Sequence, residues 1–598
     1  MSASWFPAGT MSVVNTDETP AVPLIEALET ARELLRSTTL PLATASAPQQ
    51  RENASRAVAQ LDDYVLPRVR SLDAPLLAVV GGSTGAGKST LVNALVGHPV
   101  TRSGAIRPTT RRPLLIHHPA DAGAFTTQRV LPRLARVHGT VAESPAARDA
   151  PGAGADGPVE DTGSLVLLAD RNIPEGLAIL DAPDVDSISD DNRALAAQLL
   201  SAADLWLFVT TANRYADAVP WQLLRNAAGR DITVAVVLDR VQAASAGEIE
   251  QDLRRMLDEE GLGSAPIFAV EESPLNETGM LPPVVVEPLR HWLEGLGADA
   301  HARSEIAART LGGAVRELAD TTERTAEAVA AQQHLEEHLR REVTTSFDEA
   351  LRAVVDSTRD GTLLRGEVLA RWQDFVGTGE FFRSLEAGIG RMRDRMSAFF
   401  TGRPAPEVRV EEAIETGLQA VIVENTARAA EATERRWRDE PSGQVLLAGR
   451  DAAALPADYA EQVAESIRAW QSDVMLMIQQ EGAGKRSRAR AMSLGVNALA
   501  VILMIAVFST TGGLTGLEVG IAGGSGVVGM KLLEAVFGED AVRRMSEQAR
   551  SNLETRIRAL LDARAKVFLD TIDELGEHPS AEQLHAAAEL VRAESEAL

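Results

Sequence analysis

The stretch Leu76–Gly97, LLAVVGGSTGAGKSTLVNALVG, decides how the rest of the chain is read. Leu76, Leu77, Val79 and Val80 form an apolar run of strand length, and Leu91, Val92, Ala94 and Leu95 give the segment that follows a helical character. Between them, Gly82–Ser89 matches GxxxxGK[ST]. Glycines there let backbone N–H groups close on phosphate oxygens, the helix N-terminus adds its positive dipole end, and Lys88 brings a mobile point charge to the β and γ phosphates. Ser89 offers a hydroxyl to Mg²⁺. The expected nucleotide-binding residues are Gly82, Ser83, Thr84, Gly85, Ala86, Gly87, Lys88, Ser89 and Thr90. A second GK, in Gly482-Ala483-Gly484-Lys485, lacks this context: Gln479 holds the first-glycine position and no strand precedes it.

Working outward, 598 residues exceed a single core and suggest about three domains. A net charge of -26 argues against general affinity for nucleic acid, because the average surface repels phosphate backbones. Cysteine is absent, which removes disulfides, thiolate metal sites and cysteine catalysis together and fits a reducing compartment. The first twenty residues read as a disordered tail without the basic and apolar runs of a secretory signal. The only lysines are Lys88, Lys485, Lys531 and Lys566, so the phosphate-loop position keeps a compact ammonium in an arginine-biased chain.

Residues 21–74 predict two neck helices, near Val22–Arg36 and Arg51–Ser71, the second with Ala57, Leu61, Tyr64, Val65 and Val69 on one face. That face needs a partner, which later helices are expected to supply. From 75 to 298 strands alternate with helices, the pattern of an α/β domain with a mostly parallel sheet covered on both faces. The expected strands are Leu76–Val80, Leu114–His118, Leu165–Ala169, Leu177–Leu180, Leu205–Val209, Thr233–Leu238 and Pro266–Val270. An Ala/Pro/Gly-rich surface insertion, 141–163, separates the second from the third. The fourth strand ends at Asp181, in LAILDAPDVDS, where a carboxylate beside the phosphate loop can hold the water shell of Mg²⁺; a helix N-cap is the alternative.

Residues 299–484 predict a helical stalk, with Leu311, Val315, Leu318, Thr322, Thr325 and Val329 forming a buried stripe. A C-terminal helix, 538–598, repeats the pattern with Val542, Met545, Ala549, Leu553, Ile557, Leu560 and Val567. Between them, 485–537 opens with KRSRAR and continues without charge from Ala491 to Leu517. The ~20 residues Met492–Thr511 would reach about 30 Å as a helix, enough for a bilayer core. After Gly512-Gly513, Leu514–Met530 gives a second apolar arm with Gly516, Gly520 and Gly524 in a small-xxx-small row. The expectation is a membrane hairpin at 491–530. Lys485, Arg486, Arg488 and Arg490 would sit in the anionic headgroups at the cytoplasmic face of the cell membrane, and Leu499, Ile502, Leu503, Ile505 and Phe508 would contact lipid. A buried hairpin of a soluble protein is the alternative, since a core helix can also be apolar all round.

Ser103-Gly104-Ala105-Ile106 followed by Thr110-Arg111-Arg112-Pro113-Leu114 resembles the first switch of the dynamin family, and STLVNALVG after Lys88 is similar to that GTPase class. The layout of a P-loop domain, long helices and an apolar insert between them is similar to that of bacterial dynamin-like proteins. The resemblance implies that Thr110, with Thr109 as alternative, joins Ser89 as a direct Mg²⁺ ligand, and that Asp181 acts on the metal through water. It implies Lys88, Thr110 and Asp181 as catalytic residues and GTP with Mg²⁺ as cofactors. ATP remains open, and nucleic acid is not expected. It further implies a membrane-associated hydrolase that remodels or tethers bilayers through nucleotide-dependent pairing of its G domains, self-associating also through the stalk. The competing function is a nucleotide-binding scaffold of little turnover, partnering another dynamin-like subunit. Three departures bear on that choice. Asp184 stands where the family's DxPG motif has glycine, Gly85 stands where dynamins usually carry serine, and LDRV at Leu238–Val241 replaces the guanine-reading [NT]KxD. Either Asp239 reads the base from a shifted loop or guanine selectivity is weak.

Overall fold

The computed structural model describes residues 21–101, 112–127, 130–139, 163–185, 190–359, 370–371, 406–482, 495–509 and 529–596. The described residues fall into two compact units: those within 21–40, 45–331 and 578–596 in the first, and those within 41–44 and 332–577 in the second. The expected tail, the switch segment around Thr109 and Thr110, most of the insertion, the KRSRAR cluster and residues 510–528 lie outside the described residues.

Unit 1 is built on eight strands, β1 (Leu76–Gly82), β2 (Leu114–His117), β3 (Ala135–Gly139), β4 (Ser164–Ala169), β5 (Leu177–Asp181), β6 (Leu205–Thr211), β7 (Thr233–Val241) and β8 (Ile267–Glu271). They form one sheet in the order β3-β4-β2-β5-β1-β6-β7-β8. Every neighbouring pair is parallel except β2 with β5. Because side chains alternate across a strand, β1 sends Leu77 and Val79 into one core and Leu76, Ala78 and Val80 into another; β6 divides Trp206 and Phe208 from Leu205, Leu207 and Val209 in the same way. The strand β3 was not expected. Its sequence, ARVHG, is mostly exposed at the sheet edge and carries no apolar run, so only its pairing with β4 identifies it.

The neck helices are α1 (Ala21–Ser37), α2 (Ala47–Gln60) and α3 (Leu66–Val69), the last two joined by a π-helical turn at Leu61–Val65. Ala57, Leu61, Tyr64, Val65 and Val69 are buried as their spacing requires. Tyr64 and Arg68 reach Asp204 at the start of β6: the phenol donates to its carboxylate at 3.1 Å and the guanidinium pairs with it at 3.1 Å, while the same carboxylate accepts from Leu77 N at 2.8 Å. A buried ion pair so bonded ties the neck to the first residues of the strand that feeds the phosphate loop. The C-terminal segment also differs from the single helix expected. It breaks into α15 (Glu539–Asp573) and α16 (Ala581–Ser595), because Gly576 takes φ +81° and Pro579-Ser580 starts a new helix with a capping box. The helix α16 packs on α1, with Leu584 and Val591 in the same core as Leu24 and Leu28.

A 60-residue helix, α10 (Ala300–Arg359), supplies the stalk stripe; Leu311, Val315, Leu318, Thr322, Thr325 and Val329 are all buried. Unit 2 takes this helix from Gln332 onward and adds α11 (Pro406–Asp439), α12 (Pro441–Leu447), α13 (Tyr459–Glu481), α14 (Val496–Ser509) and α15. Its mainly aliphatic core carries aromatic pairs: Trp437 meets Phe568 edge-on at 5.5 Å, and Trp470 lies 5.8 Å from Phe508. In α15 the stripe runs through Leu561, Ala565 and Phe568, whereas Leu560 is only partly buried and Val567 is 42% exposed; beyond Ile557 the expected register is one residue off.

The expectation that the first arm of the 491–530 hairpin spans the membrane is corrected here. Among the described residues no helix is long and apolar enough to cross a membrane. The helix α14 has 14 residues, about 21 Å at the usual rise against the ~30 Å of a bilayer core. Leu499, Ile502, Leu503, Ile505 and Phe508, expected to contact lipid, are each no more than 5% exposed and lie inside the core of unit 2, packed by α13 and α15. A central helix surrounded by others is apolar on every face, so its sequence imitates a membrane span.

Candidate functional site

The phosphate loop leaves β1 at Gly82 and enters α4 (Lys88–Val96) at Gly87. Two glycines are required by geometry. A Cβ at Gly82 would strike the Val209 carbonyl of β6, and Gly87, at φ +94°, holds a left-handed conformation against the Asp239 carboxylate, where a Cβ would collide. Within the loop Ala86 N bonds to Ser83 O at 3.1 Å, and Leu91 N returns to Gly87 O at 2.9 Å to open the helix. Two arginines brace the outside: Arg214 donates to Thr84 O at 3.0 Å and Arg240 to Gly85 O at 2.9 Å. Thr90 is half-buried in the first turn of α4.

Lys88 is 5% exposed and folds back under the loop. Its ammonium donates to Gly82 O at 2.9 Å, to Ser83 O at 3.0 Å, and to the Asp184 carboxylate, with which it forms an ion pair. Asp181 stands level with Val80 in the sheet, at the end of β5, and is fully buried. Its Oδ2 accepts from Ser89 Oγ at 3.1 Å and Thr101 Oγ1 at 2.8 Å. Burial pushes the carboxyl above the usual carboxylate range, and the Thr101 hydrogen bond and nearby Lys88 and Ser89 pull it back. Its Oδ1 is buried without a hydrogen-bond partner among the described residues, and so is Ser83 Oγ.

An orphaned carboxylate oxygen in a dry site is a costly arrangement unless a ligand completes it. Beside the Ser89 hydroxyl it forms an all-oxygen donor set that suits a hard divalent cation such as Mg²⁺. These residues therefore fit the metal expected from the sequence; Ser89 and Asp181 are the groups that would hold it. When bound, the ion would neutralise charge on the phosphates.

The structure brings Lys88, Ser89 and Asp181 together at the loop; Thr110 lies outside the described residues. It adds two that sequence reading missed. Thr101 holds Asp181 in place, and Asn93 anchors Thr101 by accepting from the N–H groups of Val100 (2.8 Å) and Thr101 (2.9 Å) and donating to Thr101 O (2.9 Å). An asparagine on the buried face of the helix after the loop was the available signal. Asp239 is buried at the end of β7, where the pairing with β8 shifts register between Leu238 and Val241 and Arg240 takes φ +55°. Burial raises its carboxyl and Arg240 lowers it.

Residues 77–241 match the sequence model described as the dynamin family. This segment is dynamin-like. The match begins in β1 and ends in β7, so it takes in the loop, Asp181 and Asp239. Among solved structures, the chain is similar to one described as an oligomerised bacterial dynamin pair with a mechanism for long-range sensing and tethering of membranes, at 11% identity and TM-score 0.45 over 97% of this chain and 95% of that one. It is also similar to LeoA, a bacterial dynamin GTPase from ETEC, at 11% identity and TM-score 0.22 over 96% and 94%. No curated protein matches the chain.

Proposed function

We propose that this protein is a Mg²⁺-dependent nucleotide hydrolase of the dynamin kind, using GTP, which acts on bilayers at the cytoplasmic face of the cell membrane through nucleotide-dependent pairing of its G domains. The observation that carries the proposal is the convergence of Lys88, Ser89 and Asp181 under one phosphate loop, with the Asp181 Oδ1 left for a ligand to complete. Lys88 and the loop amides would stabilise the phosphates, Ser89 and Thr110 would hold the metal directly, and Asp181 would act through its water shell. Asp239 is the group proposed to favour guanine. Membrane contact is assigned to the basic charge of Lys485, Arg486, Arg488 and Arg490, not to insertion of α14.

Purified protein mixed with anionic liposomes tests this directly. The expected result is Mg²⁺-dependent phosphate release from GTP in excess of ATP, lost in Lys88→Ala, together with co-sedimentation that weakens when the four basic residues are neutralised. Equal release from Lys88→Ala would overturn the enzymatic proposal, and unchanged sedimentation would overturn the membrane one. A second function, nucleotide binding with little turnover as a scaffold or as the regulatory partner of another dynamin-like subunit, is favoured by one observation: a carboxylate already sits on Lys88.

A further inference from the structure

We propose that Asp184 is a built-in counter-anion for the phosphate-loop lysine, occupying Lys88 in place of a nucleotide phosphate and biasing the site toward nucleoside diphosphates over triphosphates. The proposal deepens the nucleotide-site assignment above and rests on it.

A lysine ammonium has three N–H donors and no more. Lys88 spends two on the carbonyls of Gly82 and Ser83 and the third on Asp184, so every donor is taken before a nucleotide arrives. The first two acceptors are neutral backbone groups fixed by the strand end and the turn of the loop. The third is a charged side chain, 20% exposed, three residues beyond the end of β5. It is the one acceptor that can move away by side-chain rotation while the loop stays intact.

An incoming phosphate must therefore compete with a carboxylate for Lys88, and the cost depends on how many phosphates come. Loop amides hold the α and β phosphates, whereas the lysine serves the β and γ end. A diphosphate brings one terminal group to Lys88 and can share it with a displaced Asp184. A triphosphate brings further negative charge to the same end, next to a carboxylate with little water to screen it. Among the described residues, two arginines at the loop are committed elsewhere: Arg240 lies against Asp239 and Gly85 O, and Arg214 against Asp217 and Thr84 O.

The alternative is that Asp184 swings from Lys88 onto the metal and helps a triphosphate bind. The two assignments predict opposite signs for the same substitution. Fluorescent guanosine diphosphate and a non-hydrolysable guanosine triphosphate analogue are titrated, with Mg²⁺, into the full-length wild type, Asp184→Asn, Asp184→Gly and Lys88→Ala, with the adenosine pair run alongside. The wild type is expected to bind the diphosphate more tightly than the triphosphate. Both Asp184 variants should bind the triphosphate about tenfold better, with a change of less than about threefold for the diphosphate, as removal of one fixed charge predicts. An unchanged triphosphate-to-diphosphate ratio in both variants overturns the proposal, as does weaker triphosphate binding, which would make Asp184 a metal group. Agreement between the amide and glycine variants excludes a backbone effect peculiar to one of them, and a shared thermal melting profile excludes misfolding. Lys88→Ala separates the two levels: undiminished binding of every nucleotide would remove the phosphate loop as the site and take the proposal with it, whereas loss of binding there with an unchanged ratio in the Asp184 variants removes only the role of Asp184.

Discussion

The phosphate loop and helix α14 present opposite cases of how a segment's residues relate to its surroundings. In the loop, the chemistry of each residue is answered by groups a few residues or one strand away: Lys88 by the carbonyls of Gly82 and Ser83, Ser89 by Asp181 on the adjacent strand. In α14 the apolar side chains of Leu499, Leu503 and Phe508 are defined only by what surrounds them. Directional chemistry carries its own address. Apolarity does not, because lipid and a protein core reward it equally.

The widest test of that contrast is a charge in α14. Leu503 is fully buried, so Leu503→Asp should destabilise unit 2 by at least about 4 kcal/mol, read by urea denaturation or limited proteolysis without lipid. A loss under about 1 kcal/mol, the usual effect at an exposed site, would return the helix to the membrane. Next in size is Arg68→Ala in unit 1. Its guanidinium and Asp204 are both nearly inaccessible, and leaving that carboxylate unpaired should cost about 3–5 kcal/mol. Chemical denaturation would measure it, and a loss under about 1 kcal/mol would mean the pair is open to water.

Within the loop, Gly87→Ala places a Cβ against Asp239 on a left-handed backbone. Nucleotide affinity should fall by tenfold or more, about 1.4 kcal/mol, in a direct titration. Adding Asp239→Ala should recover only part of this, since the φ strain persists; full recovery would show that collision alone matters. The smallest effect belongs to Thr101→Val, which removes one hydroxyl from Asp181 while Ser89 remains. Stability should drop by about 1 kcal/mol, the net worth of such a hydrogen bond, with a modest loss of Mg²⁺ dependence in nucleotide binding. An unaltered metal dependence would confine Thr101 to holding the fold.

Much of unit 1 was legible because its strands alternate with helices and its central strands are continuously apolar. The edge strand β3 was not, since ARVHG is mostly exposed and gains strand character only by pairing with Leu165–Leu167 and their neighbours. Lys88, Ser89 and Asp181 could be named from spacing at strand ends. Thr101 and Asn93 could not, because a buried threonine and asparagine reveal their roles only when the loop between them closes. For Asp184 the sequence showed a departure, and only the structure placed that carboxylate on Lys88.

By itself, the sequence determined where a phosphate loop lies, which lysine and hydroxyl it presents, and which long helices carry a buried stripe, since these depend on residue type at short, fixed separations. Only the tertiary structure decided that α14 is covered by protein, that the C-terminal segment bends at Gly576 to lay α16 on α1, and that Asp184 meets Lys88 from 96 positions away. Such facts depend on which surfaces meet, and an apolar face or a lone carboxylate carries no mark of its partner until the chain has folded.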